Sequence, residues 1–226
     1  MTQIGQLKLG AIFACILAIT LGVAPLRAQD GHGQHHSHRF SDPNRWSATF
    51  DDPERDKWQM PDRIIAALSL RPTDQVADIG AGTGYLAVRL ARQLKSGTVF
   101  AVDVEPKMVQ HLAERAKAAG INNLRAVEAS ETSANLPEQV DVVILLNAYH
   151  HIEKRPDYFR QLRSSLKPGG RVAIVDYRPE SPVGAPKHFR LAPSQIESEM
   201  KAAGFQLAGT HDFLPYQNFL EFRLPD

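Results

Sequence analysis

Between Gln75 and Leu94 the chain passes from a short apolar stretch, Gln75-Val-Ala-Asp-Ile79, into three glycines at alternate positions, Gly80-Ala-Gly-Thr-Gly84, and then into an amphipathic run. Few folds accept that order. Gly80 and Gly82 allow backbone angles that a Cβ forbids, so the strand can reverse within a tight turn. Leu86, Val88, Leu90, Ala91 and Leu94 then recur at helical spacing. A strand that hands over to a helix through so short a turn is one βα unit, and the following strand must return parallel to the first through a right-handed crossover.

The rest of the chain keeps that rhythm. Pro61 to Leu70 reads as a short helix opened by its proline. Thr98 to Val104 and Leu124 to Glu128 read as strands, flanking a helix over Pro106 to Ala119 that Gly120 stops. Val140 to Leu146 is apolar except for Asp141, the pattern of a strand buried on both faces. A helix over Asp157 to Leu166 ends at Lys167-Pro-Gly-Gly170, and Arg171 to Asp176 is the next strand. Ser194 to Ala203 is helical and ends at Gly204. Phe205 to Phe213 and Asn218 to Leu224 turn around Pro215, too tightly for a crossover, so they pair antiparallel. The expected fold is α/β: a doubly wound, mostly parallel seven-stranded sheet with an antiparallel C-terminal hairpin.

In such a sheet ligands lie at the carboxyl ends of the strands, where strand order reverses. The glycine turn sits at one such end. Gly84 permits close packing as the helix begins, and Asp103 follows it by 19 residues at the tip of the second strand, where a carboxylate can accept hydrogen bonds from both hydroxyls of a ribose. The spacing separates two nucleotide readings. Dinucleotide binders use G-x-G-x-x-G and set a pyrophosphate on the helix N-terminus. Here the spacing is G-x-G-x-G behind Asp78, whose carboxylate repels a pyrophosphate and attracts the α-ammonium of an amino-acid moiety.

Val76-Ala-Asp-Ile-Gly-Ala-Gly-Thr-Gly84, Val102-Asp-Val-Glu-Pro-Lys-Met108 and Leu166-Lys-Pro-Gly-Gly-Arg171 resemble the successive signatures of class I, Rossmann-like S-adenosylmethionine-dependent methyltransferases of the small-molecule type, over roughly residues 60 to 224. The resemblance implies S-adenosylmethionine as cofactor, held by Asp78, Gly80, Ala81, Gly82, Thr83, Gly84 and Tyr85, with Asp103 on the ribose and Val104 and Met108 flanking the adenine. It departs from the family's pattern after the third strand, where Val127-Glu-Ala-Ser-Glu131 places Ser130 at a position often held by an acid facing the adenine amine. Asn147-Ala-Tyr-His-His-Ile152 resembles the His-His loop of enzymes acting on small oxygen or carbon acceptors, not the Asn-Pro-Pro-Tyr loop associated with nitrogen methylation. Asn147 would face the cofactor and Tyr149 the acceptor pocket. His150 or His151 is the candidate general base, because an imidazole titrates near neutrality. His150 is assigned to the site and His151 to packing; the competing reading is that the loop only shapes the pocket. Asp176-Tyr177-Arg178 and Tyr216 are further candidate acceptor contacts.

Leu9 to Leu26 runs 18 residues without a charge behind Lys8 and closes at Arg27-Ala28, the composition of a signal peptide cleaved after Ala28, or alternatively of a retained anchor over residues 9–26. Export to the periplasm or medium is the expectation, although S-adenosylmethionine is made in the cytoplasm and does not cross a bilayer unaided. Residues 29–45 read as a His-rich linker in which His32, His35, His36 and His38 can hold a divalent metal weakly. Residues 46–226 are the catalytic domain, with Trp46, Phe50 and Trp58 in a lid over residues 46–60. The single Cys15 lies in the leader, so cleavage removes every thiol and with it a cysteine nucleophile or Cys-ligated zinc. The formal charge of +1 argues against a nucleic-acid surface. Two other function classes stay open from sequence: a nicotinamide oxidoreductase, and a non-enzymatic domain that binds metal through its tail or senses a metabolite.

Overall fold

The computed structural model describes Phe40 and residues 42–225. The leader and the His-rich tract, His32 to His38, lie outside the described residues. Seven strands, β1 (Gln75–Ile79), β2 (Thr98–Asp103), β3 (Leu124–Glu128), β4 (Val140–Leu146), β5 (Leu166–Tyr177), β6 (Gln206–Thr210) and β7 (Gln217–Arg223), form one sheet in the order β3-β2-β1-β4-β5-β7-β6. The first five run parallel, whereas β7 pairs antiparallel with both β5 and β6. The expected architecture, terminal hairpin included, is the one observed.

Alternation along the central strands explains the layering. Val76, Val99, Ala101, Val142 and Ile144 enter one core with Ile64 of α3 (Pro61–Ala67), Leu90 of α4 (Ala87–Gln93) and Leu112 of α5 (Pro106–Ala118). Their sequence neighbours Ala77, Phe100, Val102, Val143 and Leu145 enter a second core with Phe159 of α6 (Arg155–Leu162) and Ile196 and Met200 of α7 (Pro193–Ala202). Successive side chains leave opposite faces of a strand, so a strand covered by helices on both sides must be apolar throughout. Asp141 interrupts β4 where the pairing with β5 shifts register. It accepts from the Gln75 N–H at 2.8 Å and pairs with Lys167 at 2.7 Å and Arg71 at 2.9 Å. Burial pushes its pKa up, and these donors together outweigh that and hold it down.

Lys167-Pro-Gly-Gly170, expected as a helix stop, is an excursion inside a longer β5, which starts at Leu166 opposite Val140. The preceding helix stops at Leu162 and tightens into a 3-10 turn, Arg163–Ser165.

Strand order reverses between β1 and β4, both of which point their C-terminal ends at the same edge. Ahead of α3, residues 42–60 form two short helices, α1 (Pro43–Phe50) and α2 (Pro53–Gln59). Each is opened by an aspartate followed by proline: Asp42 Oδ1 accepts from the Asn44 and Arg45 N–H groups, and Asp52 Oδ1 from that of Glu54. Such caps satisfy donors that the first turn leaves over, and proline at the first helical position loses nothing.

Candidate functional site

The glycine turn leaves β1 with Gly80 at φ +76° and Gly82 at φ +56°, the left-handed region. Gly80 also allows a close approach. A Cβ added there would stand 2.5 Å from that of Ala148, so the turn after β1 and the loop after β4 touch across the point of strand reversal. The Gly80 and Ala81 N–H groups both donate to the Val102 carbonyl, at 2.8 and 3.0 Å, which ties the turn to β2.

Two carboxylates serve this turn. Asp103, 8% exposed, accepts from the Gly82 N–H at 2.8 Å through Oδ2 and from the Glu105 N–H at 3.0 Å through Oδ1, which fixes it at the tip of β2. Burial raises its pKa against those bonds. Asp78 lies deeper, at 2% exposure, and accepts from the Ala87 N–H in the first turn of α4. Burial, with the Asp103 charge acting in the same direction, pushes the Asp78 carboxyl up to about 7, although the Arg55 cation pulls it down.

The N-terminal helices are fastened on this turn by charges that sequence reading missed. Arg115 of α5 pairs with Asp51 at 2.9 Å and donates to the Thr83 carbonyl at 2.7 Å. Asp56 receives the Tyr85 hydroxyl and pairs with Arg89 at 2.8 Å. The Phe50 ring lies 3.4 Å from the position a Gly82 Cβ would take, stacks on Trp46 at 5.3 Å, and meets Phe40, which in turn packs edge-on against His151. Gln59, fully buried, accepts from Asn147 Nδ2 at 2.8 Å and from Gln217 Nε2 at 3.1 Å. A signal was available for these contacts. The acidic and basic residues of Asp51 to Lys57 alternate beside large aromatics, as in a segment fastened to a charged surface.

The loop after β4 turns at Asn147, in the left-handed region at φ +56°, an angle that asparagine tolerates better than most residues. His150 follows in a 3-10 turn and points inward at 7% exposure. Its Nδ1 stands 2.8 and 3.0 Å from the two carboxylate oxygens of Asp176, and its backbone N–H donates to the same carboxylate at 3.0 Å. Asp176, 1% exposed, also accepts from the Tyr177 N–H at 2.7 Å. A carboxylate in that position makes Nδ1 the donor and leaves Nε2 as the nitrogen able to take a proton. Tyr177 and Phe189 ring the imidazole at 6.3 and 6.2 Å.

Asp78, Gly80 to Tyr85, Asp103, Asn147 and His150 therefore gather at one edge, on the ends of β1, β2 and β4. Val104, half-exposed beside Asp103, belongs to the same rim. Tyr149 alone of the remaining cofactor and acceptor candidates is drawn away from that edge. Tyr149, expected at the acceptor pocket, has no exposed surface: it packs on Phe159 and donates to Glu199 at 2.7 Å, which Arg155 pairs at 2.6 Å. Met108, expected against adenine, is fully buried on α5. Ser130 is exposed in a turn closed on Ser133. His151, expected to pack inward, is the exposed member of the pair and lies 4.0 Å from the His150 ring, against Phe40. Asp176, expected to meet an acceptor, turns inward on His150. Among the described residues no cluster of three or more metal-ligating side chains occurs.

Residues 76–170 match a family model described as a methyltransferase domain. Over 122 residues the chain is 33% identical to 27-O-demethylrifamycin SV methyltransferase of Amycolatopsis mediterranei (strain S699), a match covering 53% of this chain and 44% of that protein. Over 132 residues it is 36% identical to a probable ribosomal RNA small subunit methyltransferase A of Methanosarcina mazei, covering 58% and 46%. The chain thus spans less than half the length of either relative. A SAM-dependent methyltransferase from Aquifex aeolicus superposes with a TM-score of 0.75 at 23% identity, over 80% of this chain and 97% of that one. The match to a methyltransferase-domain model and the fold shared with a SAM-dependent methyltransferase point to S-adenosylmethionine as the cofactor. The site's charged groups suit that cofactor, with carboxylates for a ribose and an ammonium at the ends of β2 and β1.

Proposed function

We propose that this methyltransferase domain methylates a small molecule bearing an acidic proton, with His150 as the general base that removes it. The observation that carries the reading is the buried His150–Asp176 pair on the loop that touches the glycine turn. A carboxylate that accepts from Nδ1 holds the ring in one orientation and in the tautomer whose Nε2 can take a proton. S-adenosylmethionine, when bound, supplies an electrophilic methyl group on a sulfonium. The chain's part is to place the acceptor in line and about 3 Å from that methyl, and to remove the proton as nucleophilicity develops.

The residues divide the work. Asp103, fixed by two backbone N–H groups, receives the ribose hydroxyls. Asp78 faces the ammonium, and the turn from Gly80 to Tyr85 supports the chain between them. Trp58 lies 6.3 Å from Tyr177 and 6.0 Å from Tyr216, Tyr177 lies 6.3 Å from the imidazole, and the three rings line the approach of an apolar or aromatic acceptor. Helices α1 and α2 form the lid that excludes water. The rifamycin relative, named for a hydroxyl-bearing small molecule, supports this choice of acceptor. The formal charge of +1 gives no support to a ribosomal RNA acceptor such as the one that the Methanosarcina relative is named for.

Incubation with methyl-labelled cofactor and a fractionated cell extract tests the reading. Label is expected in the low-molecular-mass fraction, is lost with Asp103→Ala, and falls about 100-fold or more with His150→Ala while S-adenosylhomocysteine affinity stays unchanged. Label confined to RNA or protein refutes the acceptor class, and full transfer by His150→Ala refutes the base.

A further inference from the structure

Among the described residues, Arg55 of α2 is a buried cation with no carboxylate to pair with. Arg89 pairs with Asp56, Arg115 with Asp51 and Lys57 with Glu54, all at 2.9 Å or less. The partners of Arg55 are neutral: it donates to the Phe50 carbonyl at 2.9 Å and to Gln59 Oε1 at 3.3 Å, and lies 3.9 Å over the Tyr85 ring. Its Nε is buried and has no hydrogen-bond partner among the described residues. Beside it, Gln59 Nε2 is a second buried donor in the same condition. Burial lowers the Arg55 pKa, with Tyr177, Tyr85, Asp51 and Asp78 acting against that loss. A guanidinium kept from water by neutral neighbours, with unfilled donors around it, is costly unless an anion completes it.

The chemistry of the site supplies one. The amino-acid end of the cofactor is a zwitterion, so its receptor needs one group of each charge. Asp78 is the acid for the ammonium on the proposed reading, and Arg55 acts electrostatically on that same Asp78 while standing across Tyr85 at the end of the glycine turn. We propose that Arg55, with the Gln59 amide beside it, binds the methionine carboxylate of the cofactor, so that the α2 helix is part of the cofactor site as well as its cover. The inference rests on the reading that the glycine turn holds S-adenosylmethionine. It also explains why α2 is held by so many bonds to the turn: an anion receptor must be preorganised before it gains from charge.

Calorimetric titration with three ligands separates the possibilities. S-adenosylhomocysteine has both charges of the amino-acid end, its decarboxylated analogue has the ammonium alone, and 5′-methylthioadenosine has neither. The wild-type protein is expected to prefer S-adenosylhomocysteine over the decarboxylated analogue by about 10- to 100-fold, the range of a charge-assisted pair. Arg55→Met is expected to erase that preference to within about twofold and to leave 5′-methylthioadenosine binding within twofold of wild type. Arg55→Lys, which keeps the charge but not the fork, is expected to keep part of it and stands in if the methionine variant does not fold. Equal weakening of all three ligands by Arg55→Met, or an unchanged preference, overturns the carboxylate assignment in favour of a role in holding α2. A wild-type protein that binds 5′-methylthioadenosine without preferring S-adenosylhomocysteine overturns the assignment and leaves the cofactor site standing. A wild-type protein that binds none of the three overturns both.

Discussion

Asp78→Asn reads out the electrostatics of the site directly. In the folded protein burial and the Asp103 charge push the Asp78 carboxyl up to about 7, from 3.8 in an unfolded chain. Between those values the unfolded state has lost its proton and the folded state has kept it, so stability falls as pH rises. The stability from this group is fully present below about pH 4 and is gone above about pH 7. Three pH units at about 1.4 kcal/mol each set its size at no more than about 4 kcal/mol. Asparagine keeps an acceptor for the Ala87 N–H and cannot ionise, so the variant lacks this slope. Urea unfolding of both proteins from pH 4.5 to 8 is expected to give curves that diverge by up to about 1.4 kcal/mol per unit in favour of Asp78→Asn, and then run parallel above pH 7. Cofactor binding gives a second readout. An ammonium placed against Asp78 drives the carboxyl to ionise, so S-adenosylhomocysteine binding at pH 6 releases a proton, which appears as a dependence of the binding heat on buffer ionisation enthalpy and is absent in Asp78→Asn. Parallel stability curves over the whole range, or identical proton release in the variant, refute the reasoning.

Asp176→Asn removes the charge that orients His150; methyl transfer is expected to fall about 100-fold or more with the cofactor Kd within twofold of wild type, and a variant that keeps wild-type kcat rules the pair out of the chemistry. Gly80→Ala meets both a left-handed φ and the Ala148 Cβ at 2.5 Å, so thermal or urea unfolding is expected to show a loss of about 2–4 kcal/mol, with displacement of the loop bearing His150; a neutral substitution shows that the two loops do not touch. N-terminal sequencing of the protein from fractionated cells is expected to begin at Gln29 outside the cytoplasm; an intact Met1 in the soluble cytoplasmic fraction refutes export.

The architecture was legible because it repeats a local rule. Each strand must be apolar on both faces, each helix on one, and each junction needs its glycine or proline, so Val76-Ala77, Phe100-Ala101 and Val143-Ile144 announce a sheet covered on both sides before any contact is known. Lys167-Pro-Gly-Gly170 misled, because the same residues that stop a helix also make an excursion within a strand, and only pairing with Val140 distinguishes the two. At the candidate site, the gathering of Asp78, the glycine turn, Asp103 and the His-His loop at one edge was legible because each lies at the C-terminal end of a strand in the βα series. Tyr149 was misplaced because a side chain's direction within a loop depends on what packs above it: Phe159 and Glu199 draw it into the core.

By itself, then, the order of residues determined the alternation of strands and helices, the antiparallel terminal hairpin and the acidic character of the turn, all of which follow from local patterns along the chain. Tertiary structure alone decided which histidine turns inward, that Asp176 meets it from β5, and that Arg55 reaches Tyr85 and Gln59 reaches Asn147 from α2. Those contacts join residues 26 to 88 positions apart. No local pattern encodes such a pairing, because what selects it is the shape and charge of surfaces that exist only once the sheet has closed.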